Sequence, residues 1–303
     1  MTKVQRKQNT NFLIGNYAKQ ERASMLSGIS SLYITGEKQR PTLFTKKVVN
    51  SLLHIFSARE KPTHKDMLYL QAILSVAGNR LAKYGDEVIV NKAFVDEESR
   101  EAFNNFAEDN PEIRNSFGYG SQIEFYTSYY EILMKAGLGD SLNSRKALKR
   151  SLLRLGRITH EIHIPELYEN EEFEKGHNEL FLKYDYNNGN GKLKLTINSM
   201  FTNALTAQFT LIDLSVKKNF IRNERALALY DFIIARVNRG EDQHFNLDRV
   251  IKVLEENTDD IDKHTRKKYK KLLEKLNDYV DWNIQTYGTG EKLVFNVDWK
   301  INK

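Results

Sequence analysis

Between Lys263 and Lys275 the chain carries seven cationic residues against one acid, Glu274. Tyr269, Leu272, Leu273, Leu276 and Tyr279 recur there at helical spacing, so the segment predicts a helix with one apolar and one cationic face. Arg266, Lys267, Lys270 and Lys271 crowd its first half. Cations at a helix N-terminus oppose the backbone dipole, at roughly 0.3 kcal/mol or more each. The same dipole favours a phosphate at that end, so an anionic partner would offset the cost. A solvated lysine face is the ordinary alternative, and the placement of the helix in the fold decides between the two.

A second cationic helix is legible in SRKALKRSLLRLGRI. Lys146, Arg150, Arg154 and Arg157 are spaced i, i+4, i+8 and i+11 and share one face, flanked by Arg145 and Lys149. No acid occurs between Asp140 and Glu161. Uncompensated cations along one helix repel each other, which an anionic partner would relieve. Pairing of Arg154 and Arg157 with the acidic loops is the structural alternative. The expected DNA contacts are Ser144, Arg145, Lys146, Lys149, Arg150, Arg154 and Arg157 on this helix. On the other they are Lys263, His264, Thr265, Arg266, Lys267, Lys268, Lys270, Lys271 and Lys275. A guanidinium fork suits guanine, so base reading is assigned to Arg145 and Arg266 and backbone positioning to the lysines.

Other chemistries find no support. His160-Glu-Ile-His163 spaces its histidines three apart in an Ile-rich, strand-like segment, whereas a zinc HExxH motif needs four on a helix. No His-x-His, P-loop or Gly-x-Ser-x-Gly elbow occurs. Glu255-Glu256 and Asp259-Asp260 read as helix-end and loop charges. The absence of cysteine removes thiolate catalysis, disulfides and cysteine zinc sites. The chain is therefore read as no enzyme, with no metal and no cofactor.

The elements that would position these residues follow one order twice. In the first half, Thr63-His-Lys-Asp66 is a capping pattern for a helix over 66–78 with Met67, Leu70, Ile73, Leu74 and Ala77 inward. A short strand is expected at 87–90. Ser121-Gln-Ile-Glu124 reads as another capping box, opening a helix over 122–136 with Tyr126, Tyr129, Tyr130, Leu133 and Met134 on its apolar face. Ser144 is expected to cap a helix over 144–155. Strands follow at 157–164, 180–186 and 193–197. In the second half, Asn223 caps a helix ended by Gly240, a short extended piece spans 244–247, and helices cover 248–256 and 263–279. Strands at 282–287 and 292–297 enclose a turn with Gly288 and Gly290. Helix, strand, helix, turn, helix and hairpin is the order of a winged helix.

The expected fold is thus α+β, two tandem winged-helix domains. Residues 1–40 form a basic, loosely packed arm, 41–190 the first domain with an acidic insertion at 91–120, and 191–303 the second. The apolar residues at 193–197 and 209–216 serve domain packing or a dimer interface, with packing preferred. A net charge of +6, a mean hydropathy of −0.58 and the lack of a long apolar run fit a soluble, cytoplasmic chain with neither signal peptide nor membrane partner.

The stretches NERALALYDFIIARVNRG and RKKYKKLLEKLND running into DWNI, with EFYTSYYEILMKAGLGDSLNSRKALKRSLLRLGRITHEIHI before them, resemble plasmid replication initiators built from two winged helices. The closest pattern is that of the RepC-type iteron-binding initiators of IncQ-like plasmids, over residues 63–300. The acidic segment 91–120 and the loop 165–178 depart from it. The resemblance implies binding to directly repeated double-stranded sites at an origin, opening of adjacent AT-rich DNA, and recruitment of a replicative helicase and other replication proteins. Monomer and homodimer both remain open. A winged-helix transcriptional regulator is the alternative of the same fold. A replication or mobilisation enzyme is less well supported, and an RNA-binding protein lacks a visible aromatic stacking platform.

Overall fold

The computed structural model describes residues 17–20, 25, 29–30, 41–49, 52–91, 121–163, 177–187, 192–206, 210–256 and 259–299. The basic residues Lys3, Arg6 and Lys7, the acidic insertion beyond residue 91 and the glutamates of the 165–178 loop lie outside these. The fold is α+β and contains two winged helices in tandem.

The second half follows the sequence closely. Helix α6 (Glu224–Ile234) opens with the Asn223 side chain accepting from the Ala226 amide. Strand β11 (Asp242–Asn246), helix α7 (Leu247–Glu255) and helix α8 (Lys263–Asn277) follow, then β12 (Asn283–Tyr287) and β13 (Val294–Asp298). The sheet order is β11-β13-β12, antiparallel throughout, with Phe295 opposite both Phe245 and Thr286. The wing turn needs Gly288: φ is 79°, and a Cβ there would meet the Lys292 carbonyl oxygen at 2.5 Å. Gly240 does not end α6, which stops at Ile234; it sits in the next turn, donating to the Trp299 carbonyl.

In the first half, helix α1 (His64–Tyr84) starts at the expected capping box, with Thr63 and Asp66 exchanging bonds of 2.9 and 3.2 Å. It is buried on every face from Asp66 to Gly78, not along one stripe. Both halves pack on it: α2 (Tyr129–Lys135) and α3 (Leu142–Leu155) from the first, β1 (Tyr17–Gln20), α5 (Leu214–Lys218) and α6 around the rest. A helix covered all round must be apolar all round, which explains the run LYLQAILSVAG.

Several expectations are corrected here. Residues 121–124 do not cap a helix. They begin strand β5 (Ser121–Thr127), where Ile123, Phe125 and Thr127 turn inward with the period of a strand. The α2 cap is Ser128, accepting from the Glu131 amide. Ser141, not Ser144, caps α3. The piece near residue 88 is a 3₁₀ turn followed by β4 (Ile89–Asn91). Part of the supposed arm is structural, since β1 pairs antiparallel with β10 (Thr210–Asp213) and buries Ala18 and Gln20. The sequence pattern does not mark the hairpin of β2 (Leu43–Val49) and β3 (Leu52–Ala58), which joins β6 (Thr159–His163) and β7 (His177–Leu180) in a sheet of order β2-β3-β6-β7.

Strands β6 (Thr159–His163) and β7 (His177–Leu180) form the first wing. At Phe181 the chain leaves that sheet and continues as β8 (Leu182–Asn187) in another, of order β4-β5-β9-β8. The boundary expected at 190/191 lies within the hairpin of β8 and β9 (Lys192–Ile197), so one sheet holds both of its sides. Leu193, Leu195, Ile197, Ile212, Leu214 and Val216 are all buried within the chain, as ordinary packing requires. Helix α4 (Ser199–Thr206) connects this sheet to β10.

Candidate nucleic-acid interface

Helix α8 is the last helix of the second helix-turn-helix. The Asp262 carboxylate caps it, accepting from the His264 and Thr265 amides at 2.6 and 2.9 Å and from the Thr265 hydroxyl at 2.6 Å. The Thr265 hydroxyl and the two amides hold the Asp262 carboxyl below the usual carboxylate value. One anion thus partly offsets the cations crowded at this end. Tyr269, Leu272, Leu273 and Leu276 are buried against the domain. That leaves Lys263, His264, Lys267, Lys268, Lys271 and Lys275 exposed, with Lys270 half-buried. The Lys275 ammonium lies 5.5 Å from the Phe220 ring centre.

Arg266 occupies a different environment. Its guanidinium grips Asp248 of α7 through two bonds, of 2.8 and 2.7 Å, and both side chains are largely covered. It ties α8 to α7 and so sets the angle of the helix-turn-helix. A parallel bond from Arg225 to Glu255, at 2.6 and 3.2 Å, ties α6 to α7. The base-reading role expected of Arg266 conflicts with this geometry.

Helix α3 repeats the pattern. Leu148, Ser151, Leu152 and Leu155 face inward, while Lys146, Lys149, Arg150 and Arg157 are exposed and make no ion pair among the described residues. Arg154 turns inward instead. Its two bonds to Asp66, of 2.9 and 2.5 Å, pin α3 to the capping box of α1. Burial alone would raise the Asp66 carboxyl, but Arg154, the Thr63 amide and the Ser151 hydroxyl bring it below the ordinary value. Arg154 is thus a structural residue, and its ion-pair partner among the described residues is Asp66. Arg145 is exposed yet held by Asp140 through two bonds of 2.5 Å. Ser144 bonds to the Ser141 hydroxyl at 2.9 Å.

Arg249 on α7 and Lys292 in the second wing turn are exposed cations of the second winged helix that the sequence reading does not include. Lys292 could have been found from its place beside Gly288 and Gly290, since wing tips lie at the edge of such an interface.

The zinc-like motif dissolves on β6. Three residues apart on a strand, His160 and His163 point to opposite faces. His160 is buried and stacks on Phe56, with its Nε2 3.0 Å from His54 Nδ1. Among the described residues no group of three or more His, Cys, Asp or Glu side chains could hold a metal ion, and no helix is long and apolar enough to cross a membrane.

What the arrangement can do is hold anionic polymer. Each winged helix presents a rigid helix whose outer face is cationic, and α3 carries no carboxylate at all. No curated protein matches the chain in sequence. The crystal structure of domains 2 and 3 of RctB superposes with a TM-score of 0.51 at 13% identity, covering 91% of this chain and 97% of that one. A second structure of RctB domains 2-3 gives a TM-score of 0.48 at 11% identity, over 91% and 96%. The RctB likeness is one of fold. Residues 112–234, which include α2 and α3, match the family model described as Initiator Replication protein, WH1, so this stretch is similar to the WH1 domain of replication initiators.

Proposed function

We propose that the chain is a plasmid replication initiator that binds directly repeated duplex sites at an origin with both winged helices. The supporting observation is the tandem pair of outward cationic helices, α3 and α8, with the initiator WH1 match lying over the first. In this reading Lys146, Lys149, Arg150 and Arg157 form one contact surface. Lys263, His264, Lys267, Lys268, Lys271 and Lys275 form the other. The protein acts in the cytoplasm by binding alone, opening adjacent AT-rich DNA and recruiting a helicase without catalysis of its own. Each helix entering a major groove would place its outer face against bases and phosphates.

Electrostatic binding of this kind has a characteristic salt dependence. With about six to ten phosphate contacts, doubling the salt concentration weakens binding roughly 40- to 500-fold. The test is a titration of duplex DNA from the region beside the gene, for the parent and the Lys267→Glu, Lys271→Glu double variant. The parent should show the steep slope and the folded variant a large loss of affinity. Equal affinity in a folded variant would overturn the proposal. A footprint over tandem repeats next to an AT-rich tract supports an initiator, whereas one over a lone promoter palindrome supports a transcriptional regulator.

A further inference from the structure

The two cationic helices differ in the kind of group they leave exposed. On α8 the outer face consists of lysines, His264 and Glu274, and its single arginine is consumed by Asp248. On α3 the outer face contains Arg150, which has no carboxylate partner among the described residues, beside Lys146 and Lys149. It also contains two exposed leucines, Leu142 at 69% and Leu153 at 39%. Leu142, Lys146, Lys149 and Leu153 succeed one another at helical spacing, so the apolar and cationic groups share one surface. Arg145 stands at its edge, already oriented by Asp140.

These sets suit different parts of DNA. A free guanidinium presents a planar fork that matches the O6 and N7 acceptors of guanine, and an apolar side chain is complementary to the thymine methyl. A lysine ammonium is a compact, flexible charge that serves any phosphate. Exposed leucines gain nothing from phosphate, so their presence on α3 is informative.

Resting on the reading of the chain as a duplex-binding protein, we propose that the two heads divide the work. Helix α3 discriminates sequence, with Arg150 the guanine-reading residue and Leu142 and Leu153 packing on thymine methyls. Helix α8 supplies phosphate contacts with little discrimination. Arg150 is exposed, so its substitution leaves the fold intact.

The test is selection from a pool of random-sequence duplexes by the full chain, by Arg150→Lys, and by the Lys267→Gln, Lys271→Gln double variant. The affinity of each is then measured for the parent-selected duplex and for a scrambled one. Arg150→Lys should lose preference at a guanine position of the selected motif by about 5- to 100-fold. Its affinity for the scrambled duplex should stay within about twofold, because the charge is kept. The double variant should select the same motif, lose affinity for both duplexes by the same factor, and show a salt slope lower by about 1.8. A motif unchanged in Arg150→Lys, or base positions lost in the double variant, would overturn the division of work while leaving duplex binding in place. A parent that binds duplex but selects no motif overturns it too. A parent that binds no duplex at all overturns the proposed function, and this inference with it.

Discussion

At the scale of single residues, the arginines of the two cationic helices have two fates that their spacing conceals. Arg154 belongs by period to the face of Lys146 and Arg150, yet its partner Asp66 lies 88 residues away, where no local pattern could reveal it. Removing one side of a buried pair strands the other charge. Arg154→Ala should therefore cost about 3–5 kcal/mol in urea denaturation, against under about 0.5 kcal/mol for Lys149→Ala. Similar losses in both variants would erase the distinction between the structural and the exposed cation. His64, buried in the first turn of α1, gives a second test at this scale. Burial, helped by Lys217 and Lys61, pushes its pKa down from 6.5 to about 3. The folded chain thus refuses a proton that the unfolded chain accepts. His64's contribution to stability is complete above pH 6.5 and declines as the pH falls toward about 3, with a slope approaching about 1.4 kcal/mol per pH unit. Asp66, held below 3.8, loses its contribution only at lower pH, as its carboxylate is protonated. Between about pH 7 and about pH 5 the urea midpoint should drop more for the parent than for His64→Gln. Parallel slopes would refute the assignment.

At the scale of elements, legibility followed how local the determining forces are. In the second half, the Asn223 cap, the apolar stripe of α8 and the glycines of the wing turn are short-range signals, and apart from the early end of α6 at Ile234 the expected elements fall within a few residues of their predicted places. In the first half two local signals compete. Ser121-Gln-Ile-Glu124 has the spacing of a capping box, but the alternation of Ile123, Phe125 and Thr127 wins because β5 is covered by β4 and β9. That cover is tertiary and leaves no mark within the segment itself. The link between α7 and α8 is likewise invisible in sequence. If Arg266 positions α8 through Asp248, the losses in stability from Arg266→Gln, Asp248→Asn and the double variant should be about equal, roughly 1 kcal/mol, rather than additive. Additive losses, measured by thermal or urea unfolding, would mean that the two side chains act separately.

At the scale of the whole molecule, α1 and a buried polar hub join the halves. The Lys217 ammonium, fully buried, bonds to both Asp231 oxygens at 2.6 and 2.8 Å and to Gln71, which in turn reaches Gln20 at 2.9 Å. This connects α5, α6, α1 and β1. The tandem order of winged helices was legible because the same sequence of elements recurs; the shared central helix and the paired β1 were not, since both depend on contacts between distant segments. Under the proposed function, two helix-turn-helix units on one framework lose orientational entropy once while two sets of contacts form. The most direct measurement is a hydroxyl-radical footprint on a duplex selected by the parent chain. The parent should protect two adjacent stretches. Lys267→Glu with Lys271→Glu should expose one of them, and Lys146→Glu with Arg150→Glu the other, in folded protein. A single protected stretch, lost whole with either pair or unchanged by both, would contradict a two-headed DNA clamp.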